Sequence, residues 1–216
     1  MIFSVIGFMD LLGTIAFAIS GALVGVKRDM DIFGVNILAV ITACGGGMTR
    51  DIVIGKEPPV MFVNPIYVLI AVITANIFFL YLYTNRRLPG SKKALNALLF
   101  WCDTLGLAAF TVDGVFAGIN IGMNRLFLCT FLGTVTGVGG GAIRDIFANQ
   151  MPEIFWKNIY AMASVPGAIL TVLAWRMLGS ENKAALIGSL CVILVRCIAV
   201  HYDWNLPKVP KRSGQA

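Results

Sequence analysis

Charged side chains are rare in hydrocarbon, and this sequence places several inside long apolar stretches: Asp10, Arg50, Asp51, Asp103, Asp113, Arg144, Asp145 and Arg196. An ionised group facing lipid at the bilayer centre costs at least about 2.5 kcal/mol, so each must meet a counter-charge or line water. Four of them belong to a motif that occurs twice, G-G-G-x-x-R-D. Gly45, Gly46 and Gly47 precede Arg50 and Asp51; Gly139, Gly140 and Gly141 precede Arg144 and Asp145. Three successive glycines each give up about 1 kcal/mol of helix propensity, which predicts a kink or an unwound turn at both triplets. Carbonyls freed there carry the negative end of a half-helix and can face a cation. The competing reading is that the glycines only let helices approach closely. Recurrence of the triplet with the same Arg-Asp pair favours a pathway. The sequence holds no Ser-His-Asp set, zinc-ligand spacing or phosphate loop, so neither an enzyme, a cofactor site nor an ATP-driven pump is expected.

The elements that must hold these residues are membrane spans. Of 216 residues, 58% are hydrophobic and only 13% charged, against roughly a quarter charged in soluble domains. Mean hydropathy is +0.83, which excludes a soluble enzyme and a disordered chain. A spanning helix needs about 20 apolar residues. Charge clusters cut the chain into seven such pieces, at roughly 3–26, 32–55, 62–84, 94–119, 126–148, 158–178 and 184–203, which predicts an all-α integral membrane fold. The opening MIFSVIGFMDLLG carries no Lys or Arg and no small-residue cleavage pattern, so it reads as the first span and not as a leader. Cys44, Cys102, Cys129, Cys191 and Cys197 lie in apolar runs without C-x-x-C spacing and read as small hydrophobes. Ile77–Tyr83 reads as lipid-facing or subunit-packing surface. His201, beside Tyr202 and Trp204, suits the interface.

Basic residues set the orientation, because those in short loops stay cytoplasmic. With alternating sides, one face collects Lys27, Arg28, Arg86, Arg87, Lys92, Lys93, Lys157, Lys208, Lys211 and Arg212, and the other only Lys56, Arg125, Arg176 and Lys183. The expected placement is multi-pass in a cell's inner (plasma) membrane, amino end outside and carboxyl end in the cytoplasm. The formal charge of +6 therefore reflects topology and membrane lipid, with a bound acidic head group a fitting partner of the cytoplasmic cluster. Nucleic acid is not an expected partner.

The chain also repeats itself. A shift of 93 residues lays DTLGLAAFTVDGVFAG over DLLGTIAFAISGALVG, matching Asp10 with Asp103, Gly13 with Gly106, Phe17 with Phe110 and Gly21 with Gly114. A shift of 94 matches Gly45–Gly47 with Gly139–Gly141, Arg50 with Arg144, Asp51 with Asp145 and Pro58 with Pro152. Each unit holds three spans, and an odd number forces the second copy into the membrane upside down. The predicted organisation is a first repeat over 1–88, an inverted repeat over 89–180, a seventh helix over 181–204 and a cytoplasmic tail over 205–216. Asp113 stands where the first repeat has Ser20, which makes the fourth span the more negative one. Successive residues on a helix diverge by about 100°, so Asp51 and Asp145 are expected to pair with other helices and not with Arg50 and Arg144.

The doubled G-G-G-x-x-R-D, the three-plus-three inverted repeat and the extra helix resemble the bacterial branch of the trimeric intracellular cation (TRIC) channels, a group also described as glycine transporters. The resemblance covers nearly the whole chain. It implies a homotrimer with one hourglass pore per subunit, bounded by spans one, two, four and five and narrowed at the glycines. The permeant ions it implies are monovalent cations, chiefly K+ and also Na+, with Arg50, Arg144, Asp10, Ser20, Asp51, Asp103, Asp113 and Asp145 setting pore charge or gating. The alternative is a secondary carrier for a small zwitterion such as glycine, in which Arg50 or Arg144 would hold the carboxylate and an aspartate the ammonium group.

Overall fold

The computed structural model describes residues 5–85, 92–155 and 160–204. Among the described residues, seven helices are long and apolar enough to cross a membrane: α1 Val5–Lys27, α2 Ile32–Val53, α3 Ile66–Asn85, α4 Lys92–Asn120, α5 Leu126–Phe147, α6 Tyr160–Leu178 and α7 Glu181–His201. A single helical turn, Val60–Val63, follows α2, and a 3-10 turn, Glu153–Phe155, follows α5. Arg86, Arg87, Lys157 and the tail over 205–216, all part of the orientation argument, lie outside the described residues. Local chemistry explains the boundaries. The Asp31 carboxylate accepts from the Gly34 amide at 2.8 Å and caps α2. Gly179, at φ 61°, supplies the left-handed residue that ends α6.

Helices α1, α2, α4 and α5 form the centre, and their contacts are reciprocal. A methyl added at Gly13 would meet Phe110, and one at Gly106 would meet Phe17; the two phenyl rings lie 5.3 Å apart. Gly21 of α1 seats against Thr42 and Ala39 of α2, and Gly114 of α4 against Thr136 and Gly133 of α5. In both pairings of like helices the residue numbers run in opposite directions. Gly13 meets Phe110 while Phe17 meets Gly106, and Gly46 meets Thr136 while Thr42 meets Gly140. The repeats are therefore antiparallel and related by a two-fold axis perpendicular to the helices, which for a spanning bundle lies in the membrane plane.

The outer helices break this symmetry. α3 packs on α1 and α2, whereas α6 packs on α4 and α5 and is itself covered by α7, which also reaches α4. The α6–α7 contact closes on Gly167 and Gly188, whose added methyls would collide with Val192 and Thr171. α3 leaves Leu69, Ile73, Ile77, Leu80, Tyr81 and Tyr83 exposed while Phe78, Phe79 and Leu82 face the bundle. That is the outward surface expected of its apolar run.

The glycine triplets do not unwind their helices. α2 and α5 stay helical through Gly45–Gly47 and Gly139–Gly141, which corrects the expected break. The reason is packing: a Cβ at Gly46 would collide with the Thr136 carbonyl oxygen, and one at Gly140 with the Thr42 carbonyl oxygen. The propensity cost is offset by backbone contact between two helices, as small residues provide in membrane bundles. Position within the triplet matters. A Cβ at Gly139 would lie 3.1 Å from the Gly46 Cα and one at Gly45 3.1 Å from the end of Ile143, while one at Gly47 would meet only the Arg50 guanidinium, at 3.7 Å.

Candidate functional site: two arginine clusters across a glycine crossing

Val53 ends α2 seven residues beyond Gly46, a rise of about 10 Å. α5 ends in the same way on the other side of the crossing, with Phe147 seven residues past Gly140. Each Arg-Asp pair thus sits one turn past the crossing, where its helix gives way to a polar loop. Asp51 Oδ2 accepts from the Val60 amide and Asp145 Oδ2 from the Glu153 amide, both at 2.9 Å. The motif's aspartate anchors that loop.

Its other oxygen holds the neighbouring arginine. Arg50 Nε donates to Asp51 Oδ1 at 3.0 Å and Nη2 pairs with the same oxygen at 2.9 Å. Arg144 Nε and Nη2 make the equivalent contacts with Asp145 Oδ1 at 2.9 and 2.8 Å. This corrects the expectation that these aspartates reach other helices. The Cβ vectors do diverge, but an arginine side chain is long enough to fold back, and the carboxylate beside it is already fixed by the loop amide.

The third nitrogen of each guanidinium crosses to the other helices. Arg144 Nη1 pairs with Asp103 Oδ1 of α4 at 2.7 Å and donates to Ser20 Oγ of α1. Ser20 in turn donates to the same Asp103 oxygen at 2.6 Å. Arg50 Nη1 pairs with Asp113 of α4, which occupies the place of Ser20. Asp10, the counterpart of Asp103, forms no ion pair with Arg50, which pairs with Asp51 and Asp113. The two ends therefore differ. The Arg144 end is sealed, with Arg144, Asp103 and Asp145 each 1% exposed. The Arg50 end opens to its surroundings through Asp113, whose side chain is 26% exposed.

A tyrosine stands behind each cluster, and reasoning from the motifs missed both. Tyr160 is buried, with Gly141 facing its Oη, and it feels Asp103, Arg144 and Arg196. Half-buried Tyr67 feels Asp10 and Asp113. The signal was present, since the shift of 93 residues that aligns Asp10 with Asp103 also aligns Tyr67 with Tyr160. Arg196, on α7, lies over the rings of Tyr160 at 4.6 Å and Phe100 at 5.0 Å, with Nε donating to Thr104 Oγ1 at 3.4 Å. Asp10 Oδ1, Asp103 Oδ2 and Tyr160 Oη have no hydrogen-bond partner among the described residues.

An antiparallel pair of three-helix repeats, a covering seventh helix and paired arginine–carboxylate clusters define a multi-pass membrane protein with the fold of the TRIC channels. The chain superimposes with a TM-score of 0.83 on a structure that explains conductance through TRIC cation channels, at 30% identity, covering 96% of this chain and 98% of that one. The TRIC orthologue of Rhodobacter sphaeroides gives the same TM-score at 28% identity, over 93% of this chain and 99% of that one. These relatives are channels and not enzymes. The chain belongs to the Glycine transporter family, whose model matches residues 7–83 and again 100–176, once in each repeat. It is 37% identical over 203 residues to a UPF0126 membrane protein of Deinococcus radiodurans, covering 93% of this chain and 90% of the relative. It is 35% identical over 201 residues to the UPF0126 inner membrane protein YadS of Escherichia coli K12, covering 93% and 94%.

Proposed function

We propose that this chain is a channel for monovalent cations, chiefly K+ and also Na+. It assembles as a homotrimer in the inner membrane, with its amino end outside, its carboxyl end cytoplasmic and one pathway in each subunit. The pathway runs between α1, α2, α4 and α5, narrows where Gly46 meets Gly140, and is controlled by the Arg50 and Arg144 clusters. The observation that carries this reading is the surplus of carboxylate around each arginine. Arg50 has Asp51 and Asp113 as charged neighbours, and Arg144 has Asp145 and Asp103. Anionic clusters placed on either side of a constriction concentrate cations and repel anions. The likeness to TRIC cation channels supports the same conclusion. A carrier would need an arginine with nitrogens available for a substrate carboxylate. All three nitrogens of Arg50 and of Arg144 are engaged within the protein, so the structure favours the channel over a glycine carrier.

Purified protein in planar bilayers tests this directly. Unitary current steps in KCl that reverse at the potassium potential are expected. Glycine-dependent, saturable uptake into vesicles without unitary current would replace the channel with the carrier.

A further inference from the structure

α7 has no counterpart in the first repeat, yet it delivers a buried guanidinium beside one cluster only. Arg196 is 3% exposed, and no described carboxylate forms an ion pair with it. Its contacts are the Tyr160 and Phe100 rings and the Thr104 hydroxyl. A buried cation without a direct counter-ion needs negative charge close by. The source is the Arg144 cluster, which also lies near Tyr160 and sets one guanidinium against two carboxylates, Asp103 and Asp145. Arg196 adds a second guanidinium to that end. The Arg50 end has one guanidinium against two carboxylates, Asp51 and Asp113. α7 brings no guanidinium to it, and Tyr67 has no cation over its ring among the described residues.

We propose that Arg196 sets the charge balance of the Arg144 end and thereby makes the pathway conduct cations unequally in its two directions. The inference rests on the channel reading. Two otherwise equivalent ends then differ by the one positive charge that α7 supplies, so cations are concentrated more at the Arg50 mouth than at the Arg144 mouth. A unit charge several ångströms from a conducting path changes local cation occupancy by about two- to threefold even at the dielectric of water. The Gly167–Gly188 contact positions Arg196 by fixing α7 to α6 two turns before it.

The test is single-channel current in symmetric KCl at equal and opposite voltages. Wild type is expected to rectify. Arg196→Gln is expected to bring the rectification ratio about two- to threefold closer to unity, while Arg196→Lys, which keeps the charge, rectifies like wild type. Asp113→Ser lowers the same asymmetry from the opposite end without touching α7, and it reports on the idea even where Arg196→Gln fails to assemble. Unchanged rectification in Arg196→Gln or Asp113→Ser, altered rectification in Arg196→Lys, or a linear wild type would overturn the inference while leaving the channel standing. A wild type that passes no cation current would remove both.

Discussion

Substituting alanine along one triplet separates two accounts of the glycines that a single variant would confound. If the triplet exists to unwind α2, alanine at Gly45, Gly46 or Gly47 restores the same propensity, about 1 kcal/mol, and the three variants behave alike. If it exists for the crossing, position decides. A methyl at Gly46 collides with the Thr136 carbonyl oxygen and stands 3.1 Å from its carbonyl carbon and 3.3 Å from the Gly140 nitrogen. All three are backbone atoms that cannot rotate away, so α2 and α5 must move apart. At Gly47 the nearest atom is the Arg50 guanidinium at 3.7 Å, an ordinary contact. At Gly45 the obstacle is the end of the Ile143 side chain, which can shift. Because the propensity gain is common to all three, the difference between Gly46→Ala and Gly47→Ala isolates the overpacking penalty, about 1–3 kcal/mol. Gly140→Ala should match Gly46→Ala, since its added methyl meets the Thr42 carbonyl oxygen. Thermal unfolding in a mild detergent, followed by trimer mass and bilayer current, reads the series. Gly46→Ala and Gly140→Ala are expected to unfold several degrees below Gly47→Ala and to lose or reduce current. Equal stability across Gly45→Ala, Gly46→Ala and Gly47→Ala would refute the packing argument.

Further outcomes can be checked alongside. Asp145→Asn leaves a fully buried Arg144 short of its two-nitrogen partner and should destabilise the protein by about 3–5 kcal/mol, seen as a lowered melting temperature. Asp113→Asn, at a partly exposed site, should cost clearly less while reducing potassium conductance. Native mass measurement in mild detergent should return a trimer, and a stable monomer would count against one pathway per subunit in a three-fold assembly. In a cysteine-free background, Lys93→Cys should react with an impermeant thiol reagent only from the cytoplasmic side and Lys56→Cys only from outside; the reverse pattern would invert the proposed orientation.

Much of the architecture is written in local pattern. The apolar runs between charge clusters place all seven spans to within a few residues, because hydrocarbon thickness dictates helix length wherever the backbone must satisfy its own hydrogen bonds. The repeat is legible as identity at a fixed shift, and an odd span count implies its inversion before any coordinate is known. The members of both clusters were also legible, since Asp10, Arg50, Asp103, Asp113 and Arg144 are charged where charge is costly.

What the sequence left open is how those groups meet. A triplet of glycines lowers helix propensity by the same amount whether the helix unwinds or presses against a neighbour, and only the α2–α5 crossing chooses the second. Arg50 and Arg144 occupy identical motifs, yet one faces a partly exposed Asp113 and the other a sealed Asp103 with Ser20. That difference arises from α1 and α4, with Asp113 63 residues from Arg50, and Asp103 41 and Ser20 124 residues from Arg144. Arg196 shows no motif at all, and its place beside Tyr160 follows from the packing of α7 on α6. Span and repeat are set by one-dimensional constraints on length and identity; charge balance at each end depends on distances between helices, which only the folded bundle determines.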